Sequence, residues 1–93
     1  MIQSENLLRL VKEALDQNKP DQALLLLENP DVSGSAEALY LKGEIYFKLE
    51  RWGDALNSFN NYLVQFPSDK KAESYCSMIH NILGFFHKDQ YNP

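Results

Sequence analysis

The sequence predicts an all-α fold of about five helices arranged as antiparallel pairs, and three observations predict it. Apolar residues recur at three- and four-residue spacing in five successive windows. Turn signals separate those windows, and the turns at Asn18–Pro20 and Glu50–Gly53 are short enough to force antiparallel neighbours. No run alternates apolar and polar residues long enough to make a sheet. Leu24–Leu27 alone would suit a buried strand, but its flanks and length favour a helix.

Each element has its own justification. In the first helix, Ser4 or Asn6 is the capping residue, and Leu7, Leu8, Leu10, Val11, Ala14 and Leu15 follow at helical spacing. Asn18, Lys19 and Pro20 break it. Pro20 suits the first turn of the second helix, where its missing N–H is harmless. That helix carries Ala23 and Leu24–Leu27 and ends near Asn29-Pro30. Asp31–Ser35 is a turn-rich connector. Ser35 caps the third helix, with Ala38 at its third position and Leu39, Leu41, Ile45, Tyr46, Phe47 and Leu49 as apolar members. The fourth helix has the clearest stripe, Trp52, Ala55, Leu56, Phe59, Tyr62, Leu63 and Phe66, and Pro67-Ser68-Asp69 ends it. The fifth runs from about Lys71 to Phe86 with Tyr75, Cys76, Ile79, Ile82, Leu83 and Phe86 along one side. The segment 87–93 is a polar tail.

A chain of 93 residues is one domain, and 44% apolar residues give it a thin core. The formal charge of -4 is spread along the chain. No basic block exists to follow a phosphate backbone, so nucleic acid is not expected as a partner. Cys76 is the only cysteine, which excludes an internal disulfide and fits a reducing compartment. Residues 1–10 lack the basic start and long apolar segment of a signal peptide, and no apolar run approaches a bilayer span. The expectation is a cytoplasmic protein without a membrane partner.

The chain also repeats itself. Lys19–Leu24 aligns on Arg51–Leu56 at an offset of 32 residues, which sets Leu7 on Leu39, Ala14 on Tyr46, Leu15 on Phe47 and Leu27 on Phe59. Residues 36–69 resemble a tetratricopeptide repeat, a helix–turn–helix unit of about 34 residues. Gly43, Tyr46, Ala55, Phe59 and Pro67 match its pattern. Leu39 stands in the tryptophan place, Lys42 departs from the leucine place, and Tyr62 replaces a small residue three after Phe59. Residues 4–31 form a degenerate first unit with Val11 in the glycine place, and residues 70–86 supply a capping helix. The resemblance implies a short right-handed superhelix. Gly43 and Ala55 would lie where two helices cross closely, with Tyr46 and Phe59 filling the space beside them.

Catalytic constellations are scarce. Cys76 and His80 are four apart, but Cys76 sits in an apolar stripe and reads as a small buried hydrophobe. His80 reads as a helix-surface residue, and His87 as a cation at a helix C-terminus. No zinc, calcium-loop or phosphate-loop spacing is present, so no metal or cofactor is expected. Glu44 and Lys48 read as a surface pair at helical spacing. Glu50 and Asp54 read as solvated carboxylates, and Gly53 as a residue serving the geometry of its turn.

These observations point to a non-catalytic module that binds a protein or peptide. The resemblance implies a concave face built from the first helix of each pair. On this chain that face holds Leu8, Lys12 and Leu15, then Tyr40, Glu44, Phe47 and Lys48, then Met78 and Asn81. Glu5, Asp16, Glu37, Lys71, Ser74 and Ile82 stand beside them. Tyr40 and Phe47 are suitable anchors for a docked segment. Family members that clamp a terminal carboxylate use lysine and asparagine on this face. Tyr40 and Glu44 replace such residues here, which argues against that specificity. Met78 and Phe85 fall off the main stripe of the last helix, and an apolar patch at an open end invites a second copy of the chain. A homodimer through Met78 and Phe85 is therefore the alternative. A third reading makes the tail itself a recognised segment, with Tyr91 docking on Phe86.

Overall fold

The computed structural model describes residues 4–86. They form five helices, α1 (Ser4–Asp16), α2 (Pro20–Leu27), α3 (Ala36–Lys48), α4 (Trp52–Gln65) and α5 (Lys70–Phe86), and no strand. Asn6 lies inside α1 and does not cap it. Phe66, expected in the α4 stripe, follows the last residue of that helix and is 48% exposed. The Phe86 side chain, His87 and Tyr91 lie outside the described side chains, as do the readings made on them.

The two short turns are built alike. Each closes with a residue in the left-handed conformation, Asn18 at φ 60° and Glu50 at φ 59°. After α1, Lys19 N–H donates to the Ala14 carbonyl at 2.8 Å and Asn18 N–H to the Leu15 carbonyl at 3.0 Å. After α3, Arg51 N–H donates to Tyr46 at 2.8 Å and Glu50 N–H to Phe47 at 3.1 Å. These are the paired hydrogen bonds of a Schellman cap, which satisfy the last free carbonyls of a helix. Every donor and acceptor in the second turn is 32 positions after its counterpart in the first. The internal repeat is thus expressed in backbone geometry. In the second turn the Arg51 guanidinium lies 4.8 Å from the centre of the Tyr46 ring, closing the cap with a side-chain contact.

The α2–α3 connector is held from within. Asp31 N–H donates to Asn29 Oδ1 at 2.9 Å, and Ser35 Oγ donates to the Val32 carbonyl at 2.8 Å. The same Ser35 oxygen accepts from Ala38 N–H at 3.1 Å and so caps α3 as expected. Val32, within the segment expected to be a turn-rich connector, is 1% exposed and belongs to the core.

Among the described residues, extensive helix–helix contacts join consecutive elements: α1 with α2, α2 with α3, α3 with α4, α4 with α5. That pattern fits a helical-repeat-like arrangement. Two apolar clusters result. Leu7, Val11, Ala14, Ala23, Leu27, Val32, Ala38, Leu41 and Ile45 form the first. Ala55, Phe59, Ala72, Cys76 and Ile79 form the second, with Tyr40, Tyr46 and Phe47 packed against it. Helix α3 serves both, which is why apolar residues run around most of its circumference.

Gly43 sits at this junction. A Cβ there would lie 2.6 Å from Cζ of Phe59 and 2.7–2.8 Å from its ring neighbours. The Phe59 ring, expected beside this crossing, is what a side chain at Gly43 would meet first. Gly53 has open space around it and no positive φ, so it does not serve the turn geometry expected of it. Glu50 occupies the left-handed position instead.

Candidate functional site

Helix α3 carries Glu37, Tyr40, Glu44 and Phe47 at spacings of three and four, which places them along one face. That face and α1 border three adjoining hollows. The largest, about 420 Å³, is lined by Lys12, Ala36, Glu37, Tyr40, Leu41, Glu44, Tyr62, Phe66 and Asp69. Lys12 and Glu37 also border a second hollow of about 290 Å³ with Glu5, Leu8 and Arg9. Glu44 also borders a third of about 220 Å³ with Leu15, Phe47, Lys48 and Tyr75. Shared walls make the three one groove. Lys12 Nζ meets Glu37 Oε1 at 2.9 Å across it. Both side chains are about half exposed, so solvent screens the pair and it contributes at most ~1 kcal/mol.

Tyr40, Tyr62 and Phe66 line the first hollow and Phe47 and Tyr75 the third, and these rings pack on one another and on Phe59 and Trp52. Tyr40 meets Phe59, Tyr62 and Tyr75 edge-on, with centroids 5.5, 5.1 and 6.2 Å apart. Phe47 meets Trp52 and Tyr75 edge-on at 5.1 and 5.2 Å. Phe59 stacks on Tyr75 at 4.5 Å, and Tyr62 on Phe66 at 5.2 Å. Edge-on and stacked pairs of this kind contribute about 0.5–1.5 kcal/mol each beyond their buried area.

Three tyrosine hydroxyls lie among these rings, and two have carboxylate partners. Tyr62 donates to Asp69 Oδ2 at 2.6 Å, and Asp69 Oδ1 accepts from Ala72 N–H at 3.1 Å, capping α5. The Tyr62 hydrogen bond, then the Ala72 N–H, hold the Asp69 carboxyl below its usual range against a smaller opposing effect of burial. Tyr62 is pushed up, first by the same hydrogen bond and then by burial. Tyr75 donates to Glu44 Oε2 at 2.9 Å and ties α5 to α3. Burial, followed by that hydrogen bond and the Glu44 charge, raises its pKa well above the ordinary tyrosine range. Tyr40 differs: its hydroxyl is buried and has no hydrogen-bond partner. Burial, then the charges of Glu44 and Asp69, push it up to about 12.

The sequence-predicted residues divide between two places. Leu8, Lys12, Leu15, Tyr40, Glu44, Phe47 and Lys48 line the groove. Met78 and Asn81 are exposed on α5 outside these three hollows, and Phe85 is 78% exposed on the same helix. Glu44 was expected to pair with Lys48 at the surface, but its carboxylate accepts from Tyr75 instead. Tyr62, Phe66, Asp69 and Tyr75 were missed as groove residues. The one available signal was Tyr62 itself, an aromatic where the resembled repeat has a small residue.

Cys76 is buried, and its Sγ lies 3.7 Å from Asn60 Oδ1. Burial, then the charge of Glu73, raises its thiol pKa and keeps it protonated. His80, four residues on, is exposed. Among the described residues no group of His, Cys, Asp and Glu could hold a metal ion, and no helix is long and apolar enough to cross a membrane. No family model, curated protein or solved structure matches the chain.

Proposed function

We propose that this chain is a small repeat protein of the tetratricopeptide type that binds a segment of another protein in the groove along α1 and α3. The observation that carries the reading is the run of three hollows with shared walls, lined by seven residues of the expected binding face. The identical turns 32 residues apart support the repeat, and right-handed stacking belongs to the same proposal. An aromatic lining with charged rims suits a docked segment, because anchors fixed in advance lose little entropy on binding.

Alanine at Tyr40 and Phe47 would test the face poorly, since both rings pack into the second cluster. Photo-crosslinking is the cleaner experiment. A photoreactive side chain replaces Glu5 or Lys48, both exposed on the groove rim, or Leu25 or Val64, exposed on α2 and α4. Covalent protein adducts from the rim positions alone are expected. Adducts only from Leu25 and Val64 would refute the groove.

A second reading rests on α5, where Met78 is 44% and Phe85 78% exposed, seven residues apart on one helix. On this reading a second copy of the chain covers that surface, in a closed pair.

A further inference from the structure

The largest hollow has a charge imbalance. Glu37, Glu44 and Asp69 line it with Lys12 as the cation among its lining residues, and Lys12 is engaged by Glu37. The remaining two carboxylates hold neutral donors: Tyr75 on Glu44, Tyr62 and the Ala72 N–H on Asp69. Those contacts fix the carboxylates without cancelling their charge. Lys71 acts on Asp69 from outside the lining. The Tyr40, Tyr62 and Phe66 rings line the same hollow. Aromatic faces beside carboxylates that outnumber the cations of the lining attract an organic cation through ring quadrupole and charge together. Rings beside carboxylates suit a planar cation, whose face can lie on a ring while its edge meets oxygen. An arginine side chain meets that description, because its guanidinium stacks on rings and bridges carboxylate oxygens at once. The net charge of -4 adds a long-range attraction of the same sign.

We propose that the hollow bordered by Tyr40, Glu44, Tyr62, Phe66 and Asp69 receives an arginine side chain from a basic segment of a partner protein. The inference rests on the groove reading and adds the chemistry of what enters it. The test is selection of a random nine-residue peptide library displayed on phage against the whole chain at low salt, with the recovered peptides mapped by amide NMR shifts. Arginine-rich peptides should be recovered and should shift amides around Tyr40, Glu44 and Asp69. Glu44→Gln keeps an acceptor for Tyr75 and should weaken them about tenfold, with the unfolding midpoint recorded as a check on the fold. Ser77→Ala, exposed on α5 and outside the hollow, should leave their affinity unchanged. Peptides that map to the groove without basic enrichment, or that bind Glu44→Gln as well as wild type, would overturn this inference and leave the groove intact. Recovery of no groove-binding peptide would overturn both.

Discussion

Two single residues expose the physical choices in this chain. Gly43→Ala sets helix propensity against packing. Alanine gains about 1 kcal/mol over glycine in a helix interior. At Gly43 the new Cβ would stand 2.6 Å from the Phe59 ring. That ring is fully buried, stacked on Tyr75 and edged by Tyr40, so it has nowhere to move. Overpacking costs about 1–3 kcal/mol and exceeds the propensity gain. Gly43→Ala should therefore lower the denaturation midpoint. Gly84→Ala on α5, with nothing within 4 Å of its added Cβ, should raise it. Equal shifts of the two would contradict the close-contact account. Glu50 is the second case. At φ 59° it holds a conformation that costs an ordinary residue about 1–2 kcal/mol, and glycine adopts it freely. After glycine's larger loss of chain entropy, Glu50→Gly should stabilise by about 0.5–1 kcal/mol, read from urea unfolding with an unchanged slope.

At the scale of elements, α5 is held by side-chain hydroxyls as well as by apolar packing. Tyr75 reaches Glu44 on α3, and Tyr62 on α4 reaches Asp69, the residue that caps α5. Tyr40, Tyr62 and Tyr75 all have folded pKa values raised above the ordinary 10.0. A raised folded pKa means the folded state keeps its proton after the unfolded state has lost it. The stability from these groups is complete below pH 10.0 and falls as pH rises through the folded values, about 12 for Tyr40. Tyrosinate absorbance from Tyr40, Tyr62 and Tyr75, assigned by phenylalanine variants, should appear late and together with the loss of helix circular dichroism. Titration of those three near 10.0, with the fold intact, would refute it. The elements themselves were legible, since periodicity and turn residues mark helices directly. Their contacts were less so. Periodicity tells which face a residue lies on, not how deep it sits, so Tyr40 and Phe47 read as anchors before they could be seen as parts of a ring cluster. Tyr62 with Asp69, and Tyr75 with Glu44, join different elements and have no local signature. Val32 is a lone apolar residue in a run of turn formers, where composition argues against burial. Glu50 in the left-handed position is hidden because glutamate has no preference for it, and Gly53 nearby draws the attention that Glu50 deserves on conformational grounds.

For the molecule as a whole, the consequence of consecutive packing is that a terminal helix has fewer neighbours than an interior one. Among the described residues α5 packs mainly on α4, with Tyr75 reaching α3. A terminal helix in a stack normally turns polar residues outward, because nothing further covers it. Helix α5 does so with Lys70, Lys71, Glu73, Ser74, Ser77, His80 and Asn81, all exposed. It does not do so at Met78 and Phe85. Burying two such side chains in a paired copy removes apolar surface that a 93-residue chain has few other ways to hide. A charge at Phe85 would be desolvated in that interface, a penalty of several kcal/mol that opposes pairing. The self-association reading thus predicts a dimer in sedimentation equilibrium that Phe85→Glu converts to monomer, with helix content retained. A wild-type chain that stays monomeric across a concentration series removes that reading. The groove reading then survives, because its lining comes from α1, α3 and α4 with Tyr75 from α5, and does not depend on what α5 presents outward.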